Sequence, residues 1–332
     1  MPVTSEPARL FTPEEISAVL SHYELGDVTS VRELIGGGAG SPKAYVECAR
    51  GRFVLKRRAP GRANPFRVAY AHEIMLRLRA RGFDAAPTLV GTRGENNSML
   101  QLEGRVYELF VFVEGRAFGR RIEQARAAGS ALARVHALLD GFETRQPDPP
   151  ARPDAVTLVR RAADAVHADA LGRELEDLVR AASITGEGRP GIVHGDWHPG
   201  NLLFRDDAVV GVFDFDSARR APRADDVAQG LVQFSMTRAG ASPDEWPDEP
   251  DVDLATTFLA GYSGDGERTT LTPDAAPARM IRSLATEWSE AAIGGLLGGQ
   301  EHATRLLGAV VRKARWLTEH AESFARAIRP PS

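Results

Sequence analysis

The segment His194-Gly195-Asp196-Trp197-His198-Pro199-Gly200-Asn201 gathers a carboxylate, a carboxamide and two imidazoles around two glycines and a proline. After Leu202, Leu203 and Phe204 come a turn at Arg205-Asp206-Asp207, an apolar run at 209–213, and Asp214-Phe215-Asp216. Phosphoryl transfer asks for such a set: a carboxylate to orient an attacking hydroxyl and accept its proton, and hard oxygen ligands for a Mg²⁺ ion that bridges phosphates. Asp196 and Asn201 stand five apart on one loop, and Asp214 returns after a hairpin, so the three are expected to converge. Gly195, Pro199 and Gly200 favour irregular backbone over helix, which lets the loop aim its side chains. A polar turn between two strands is the competing reading. His194 and His198 admit another, a His-x-x-x-His metal pair. That spacing faces one way only on a helix, which Gly195 and Pro199 oppose, so hydrogen bonding within the loop is their expected role.

The elements around this segment divide in character. A short helix over 10–20 opens at Thr12-Pro13-Glu14-Glu15, with a cap, a proline at the first helical position and acids in the first turn. Strands are expected at 31–35, 44–49 and 52–57, with the glycine-rich run 36–40 between the first two. A helix over 66–81 ends at Gly82 and sets Ala69, Glu73, Leu76 and Ala80 on one face. Further strands follow at 87–91, 98–102 and 105–113. Beyond Gly115 helices take over, at 122–139 and 155–182 around a proline-rich loop at 146–153, and again from Asp225 onward, where the acidic stretch 244–253 interrupts them. His136 lies on the apolar stripe of Ile122, Ala125, Gly129, Leu132 and Leu139, which reads as a satisfied core histidine. Arg57 and Arg58 read as solvated.

The 194–216 stretch resembles the catalytic loop of the aminoglycoside phosphotransferase and homoserine kinase-like superfamily, a branch of the protein-kinase-like fold. It carries His-x-Asp-x-x-x-x-Asn with the His-Gly-Asp and His-Pro-x-Asn wording of the small-molecule kinases, and Asp214 stands where protein kinases have the Asp of Asp-Phe-Gly. The resemblance spans about residues 30–235. It implies an α+β, two-lobed fold, with an antiparallel sheet in a nucleotide-binding lobe at 1–113, a mainly helical catalytic and substrate-binding lobe at 114–332, and the chemistry in the cleft between them. It implies Asp196 as the catalytic base, Asn201 and Asp214 as ligands of Mg²⁺, and Lys56 on the α- and β-phosphates of ATP with Glu73 as its ion-pair partner. Ser41, at the tip of the glycine-rich hairpin, would donate to a β-phosphate oxygen. Val111 and Val113, in the hinge before Glu114-Gly115, would hold the adenine edge through their backbone. Asp226, or its neighbour Asp225, would brace the catalytic loop, although a carboxylate at a helix N-terminus explains either.

Composition narrows the partners. Of 332 residues, 43% are hydrophobic and 26% charged, with a net charge of −4, so neither disorder nor a nucleic-acid surface is favoured. Cys48 is the only cysteine, which excludes an internal disulfide and any cysteine-rich metal centre. The opening residues show no signal-peptide pattern and no run approaches a membrane span, so a cytoplasmic protein without a membrane partner is expected. Lys43, Lys56 and Lys313 are the only lysines among 41 basic residues, which draws attention to Lys56. The expected activity is ATP-dependent transfer of the γ-phosphate to a hydroxyl of a small polar molecule such as an aminoglycoside, homoserine, choline or a sugar-like alcohol. A stress-response-type Ser/Thr protein kinase and a nucleotide-binding pseudokinase scaffold are the alternatives. The acidic stretch 244–253 offers a way to attract a cationic acceptor.

Overall fold

A computed structural model describes residues 11–34, 41–182, 184, 190–236, 242–264 and 271–329. The glycine run 36–40 lies outside the described residues. The chain forms two compact units, one of residues 1–115, 143–148 and 210–216, the other of 116–142, 149–209 and 217–332. A single cut after residue 113 therefore misses two segments that return to the first unit.

In the first unit, α1 (Pro13–Leu20) begins where the Thr12 hydroxyl accepts the Glu15 N–H at 3.1 Å, with Glu14 and Glu15 at the positive end of the helix dipole. Strands β1 (Val28–Leu34), β2 (Lys43–Cys48) and β3 (Gly51–Arg57) follow, then α2 (Pro65–Ala80), capped by the Asn64 side chain on the N–H groups of Phe66 and Arg67. Next come β4 (Leu100–Leu102) and β5 (Arg105–Val111), joined by Glu103-Gly104, both at positive φ as a two-residue hairpin turn requires. The sheet is antiparallel in the order β1-β2-β3-β5-β4.

Period-two alternation sends Ala44, Val46, Cys48, Phe53, Leu55, Tyr107 and Leu109 into one core with Val19, Leu20, Tyr23 and Leu25 on and beyond α1. Fully buried Leu55 and Leu109 each stabilise it by about 2 kcal/mol. The same alternation turns Lys56 and Glu108 to the other face, where the register sets them directly opposite one another. There α2 supplies His72 to Glu108.

Two expectations fail here. The strand at 87–91 reduces to a single bridge between Leu89 and Phe110. The buried face of α2 runs through Val68, Ala71, His72, Met75 and Leu78, while Leu76 is 51% exposed. The helix is apolar on more than one side, so sequence periodicity selected the wrong stripe.

The second unit contains α3 (Ile122–Leu138), α4 (Ala155–Ala165), α5 (Asp169–Ala181), β6 (Pro190–Val193) and β7 (Leu202–Arg205). The chain crosses into the first unit within β8 (Ala208–Val212) and returns for β9 (Arg219–Pro222), α6 (Arg223–Ser235), α7 (Val252–Gly264), α8 (Ala276–Ile293), α9 (Gln300–Glu319) and α10 (Ala321–Ala327). The expected helix at 155–182 is two, because His167 adopts φ 52° and turns the chain so that Gly172 packs on Ala163. Helices α3 and α7 meet at glycines: a Cβ on Gly129 would strike the Phe258 carbonyl, and one on Gly261 the Arg126 carbonyl. Strand β9, which the sequence did not announce, pairs antiparallel with β6 and so sets α6 behind the catalytic loop. Among the described residues, no helix is long and apolar enough to cross a membrane.

Candidate active site

Strand β6 delivers the chain to His194, and the first turn of α6 meets it there. Asp226 Oδ2 accepts the His194 N–H at 2.6 Å and Oδ1 accepts the Gly195 N–H at 2.8 Å. His136 Nε2 lies 3.1 Å from the same carboxylate, and its Nδ1 lies 2.9 Å from the Tyr262 hydroxyl. His136 is thus the satisfied core histidine that its stripe implied, and Asp226 is the brace. Asp225 instead pairs with Arg279 at 2.6 Å. Burial pushes the Asp226 pKa up, yet the His136 hydrogen bond and the charges of His136 and His194 outweigh it and hold the group below the usual carboxylate range.

Two further contacts shape the loop. Gly195 takes φ 75°, and a Cβ there would collide with the Arg219 side chain and the Ser217 carbonyl, so only glycine fits. Fully buried Trp197 donates its backbone N–H to Gln229 Oε1 at 2.8 Å. Between these anchors Asp196 is left half-exposed. Asn201 Nδ2 donates to the Asp196 carbonyl at 2.9 Å and to Asp196 Oδ2 at 3.0 Å, which leaves Asn201 Oδ1 as the acceptor a cation could use. His198 Nε2 stands 3.5 Å from Asp196 Oδ2, while its Nδ1 accepts the Gly200 N–H at 3.0 Å, and His194 Nδ1 accepts the Asp196 N–H at 3.3 Å. Both imidazoles therefore serve the loop. Burial would raise the Asp196 pKa, but the His198 hydrogen bond and the two nearby imidazoles bring it below its ordinary value.

The first unit carries a different assembly. Lys56 Nζ lies 3.5 Å from Asp214 Oδ1 and 3.3 Å from Asp216 Oδ2. Asp216 Oδ1 is 2.8 Å from Arg58, whose guanidinium also grips Glu108 at 2.7 and 2.9 Å. Glu108 in turn sits 2.6 Å from His72 Nε2, and His72 Nδ1 is 2.8 Å from the Ser98 hydroxyl. Burial pushes Glu108 up, but His72 and the charges of Arg58 and Lys56 draw its pKa down to about 2. For Asp216, burial is likewise outweighed by Lys56 and Arg58, and the carboxyl is held far below its ordinary value.

This overturns two expectations. Arg58 is 6% exposed rather than solvated, and Arg57 pairs with Glu15 at 2.7 Å. Glu73 does not reach Lys56: its carboxylate accepts the Arg145 N–H at 2.6 Å, because the face of α2 turned to the sheet carries His72 and not Glu73.

Asp214 adopts φ 62°, and its Oδ1 is buried without a hydrogen-bond partner among the described residues. An anionic oxygen with only the Lys56 ammonium 3.5 Å away suits a hard divalent cation. Ser41 Oγ accepts the Ala59 N–H at 3.2 Å, at the end of the undescribed glycine run. Val111 ends β5, is 39% exposed, and spends its N–H on the Thr88 carbonyl at 2.9 Å. The Val113 N–H has no backbone partner among the described residues, so of the two it is the one free to meet a base edge.

Sequence reasoning missed Asp216, Arg58, Glu108 and His72. The repeated acid in Asp214-Phe215-Asp216 was a usable signal for the first. The other three become visible only with the β3–β5 register and the orientation of α2. Two acids of the stretch 244–253 are ion-paired, Asp248 with Arg312 at 3.0 Å and Asp251 with Arg120 at 3.5 Å, and Lys313 donates to the Pro247 carbonyl.

Comparison with known proteins addresses the fold and the family. A homoserine kinase from Phenylobacterium zucineum (strain HLK1) is 25% identical over 86% of this chain and 88% of its own length. In three dimensions, an amicoumacin kinase solved in complex with AMP-PNP and Ca²⁺ superposes with a TM-score of 0.65 at 14% identity, covering 94% of each chain. A choline kinase from Cryptosporidium parvum Iowa II gives 0.65 at 11% identity, covering 93% of this chain and 97% of that one. The family model of the phosphotransferase enzyme family, APH, matches residues 31–273, a span that holds Lys56, Asp196, Asn201 and Asp214, and the chain accordingly belongs to that family as a kinase acting on hydroxyl groups.

Proposed function

We propose that the protein is an ATP- and Mg²⁺-dependent kinase of a small polar alcohol in which Asp196 is the catalytic base. The observation that carries this is the fixing of the loop. Three backbone N–H groups, on His194, Gly195 and Trp197, are held by Asp226 and Gln229, so the loop backbone is fixed by other side chains and the Asp196 carboxylate meets only Asn201 and His198 within the loop, both through Oδ2. Its lowered pKa keeps it ionised near neutrality, ready to orient an acceptor hydroxyl and take its proton.

In this reading Lys56 leaves its pairs with Asp214 and Asp216 to contact the phosphates of ATP, and Ser41 and Val113 contact the nucleotide through the hydroxyl and the backbone. Asn201 Oδ1 and Asp214 hold Mg²⁺, which when bound neutralises phosphate charge. The choice of Mg²⁺ rests on the hard oxygen donors of the set, and a cytoplasmic setting is supported by the single cysteine.

The test is an ADP-release assay with the full chain on a panel of alcohols, including L-homoserine, choline, amino alcohols and aminoglycosides. Metal-dependent ADP release with one acceptor class is expected. Absence of release with every alcohol, or labelled phosphate appearing on protein instead, would sink the reading.

A further inference from the structure

Two of the three lysines in the chain stand directly opposite one another in the first unit: Lys43 opens β2 and pairs in register with Lys56 of β3. Two bonds at and just beyond the end of β3 pin the start of β2 there. The Pro42 carbonyl accepts the Arg57 N–H at 3.0 Å, and Ser41 Oγ accepts the Ala59 N–H at 3.2 Å. Alternation sets the direction of the side chain. Ala44, Val46 and Cys48 enter the core of the unit, so Lys43 lies on the opposite face, the one that carries Lys56 and Glu108.

The two ammonium groups differ in what surrounds them. Lys56 has Asp214 at 3.5 Å and Asp216 at 3.3 Å, and Arg58 takes Asp216 and Glu108. Among the described residues, Lys43 has no carboxylate within ion-pair distance and its ammonium makes no hydrogen bond. It is nevertheless half-buried.

Burial and the Lys56 charge pull the Lys43 pKa below the usual lysine range, against the opposing pull of Asp214, Asp216 and Glu108. Those three carboxylates are already engaged by Lys56 and Arg58. Like charges set directly opposite one another in a sheet destabilise it, so the Lys43–Lys56 pair lowers stability unless an anion joins it. An anion with several oxygens in a row can meet both ammonium groups at once, through charge-assisted hydrogen bonds. The chain uses arginine for nearly all its cations, yet at these two facing positions it places the compact ammonium, which approaches an oxygen without a planar fork to align.

We propose that Lys43 is a second phosphate-binding cation, so that the phosphate chain of the nucleoside triphosphate is held by two ammonium groups, one from β2 and one from β3. This rests on the reading of the chain as an ATP-dependent kinase and adds to it a contact beyond Lys56 and Ser41. Lys56 reaches the phosphates by exchanging its carboxylates for them, whereas Lys43 has no such partner to give up. Its whole electrostatic gain therefore comes with the nucleotide.

The test titrates the full chain and its Lys43→Met variant with ATP and with adenosine in the presence of Mg²⁺, and follows the melting of each. Lys43→Met is expected to bind ATP about 10-fold more weakly and adenosine equally well, because the contact is with phosphate. Without nucleotide it should melt no lower than the wild type, since the opposed like charge is gone, and ATP should raise its Tm by less. Lys43→Arg, which keeps the charge, should recover most of the ATP affinity. Equal ATP affinity in Lys43→Met overturns the proposal while the kinase reading stands. So does a matched loss of ATP and adenosine binding with a lower Tm, which would mark Lys43 as a structural residue. Failure of the wild type to bind ATP overturns both.

Discussion

The catalytic loop of the second unit is fixed by neutral donors, whereas the Lys56 cluster of the first is fixed by charge. Around Asp196, backbone amides meet a buried carboxylate and a carboxamide, and the surrounding side chains are packed tight. Around Lys56, two cations and three carboxylates hold one another at 2.7 to 3.5 Å. The first arrangement fixes the loop backbone from within its own unit. The second can trade partners: a triphosphate offers Lys56 the same negative charge that Asp214 and Asp216 offer it now. On the proposed reading, Asp196 must be aimed before substrate arrives, while Lys56 only has to be kept charged and nearby.

That contrast can be broken at four points. The largest effect is expected at the base. Asp196→Asn should lower kcat by about 10³ while leaving the nucleotide Kd nearly unchanged, read by steady-state kinetics beside equilibrium titration; retained turnover would remove Asp196 from its role. Next, Asp226→Ala strands two buried amides and the His136 ring, and should cost roughly 3–5 kcal/mol in urea unfolding, with kcat falling alongside. If stability drops but kcat per folded molecule does not, the loop is aimed by something other than Asp226.

Lys56→Met should weaken ATP binding by about 10- to 100-fold, seen in the ATP KM, with acceptor KM unaltered. An effect confined to the acceptor would contradict the assignment. The smallest expected effect is one of pH. Glu108 has a folded-state pKa of about 2 against an ordinary 4.5, so its stabilising contribution is present above about 4.5 and disappears as pH falls toward 2. Acid unfolding of the wild type, followed by circular dichroism, should therefore steepen across that window relative to Glu108→Gln. Parallel curves would show that the cluster contributes little.

The same two regions differ in how much of them could be read from sequence. The placement of Asp196, Asn201 and Asp226 was legible because it depends on spacing along one loop and on the helix that follows it. The strands β2 and β3 were legible too, since turn residues and period-two alternation mark them. The partner of Lys56 was not. It depends on which strand lies beside β3 and which face of α2 turns inward, and both are set by tertiary packing. A helix with apolar residues on several sides does not reveal its buried face, and so Glu73 was chosen where His72 points at the sheet. The split between α4 and α5 escaped for a similar reason: His167 gives no composition signal, and the turn is fixed by Gly172 seating on Ala163.

The backbone of Asp214 has one more consequence. At φ 62° it occupies a conformation that glycine reaches without penalty and that costs an L-residue about 1 kcal/mol. Asp214→Gly should therefore melt no lower than the wild type even as it loses turnover, since torsional relief offsets the lost pair with Lys56. Heat tolerance and catalytic competence pull this position in opposite directions, so a library sorted for thermal endurance alone would be expected to discard the aspartate.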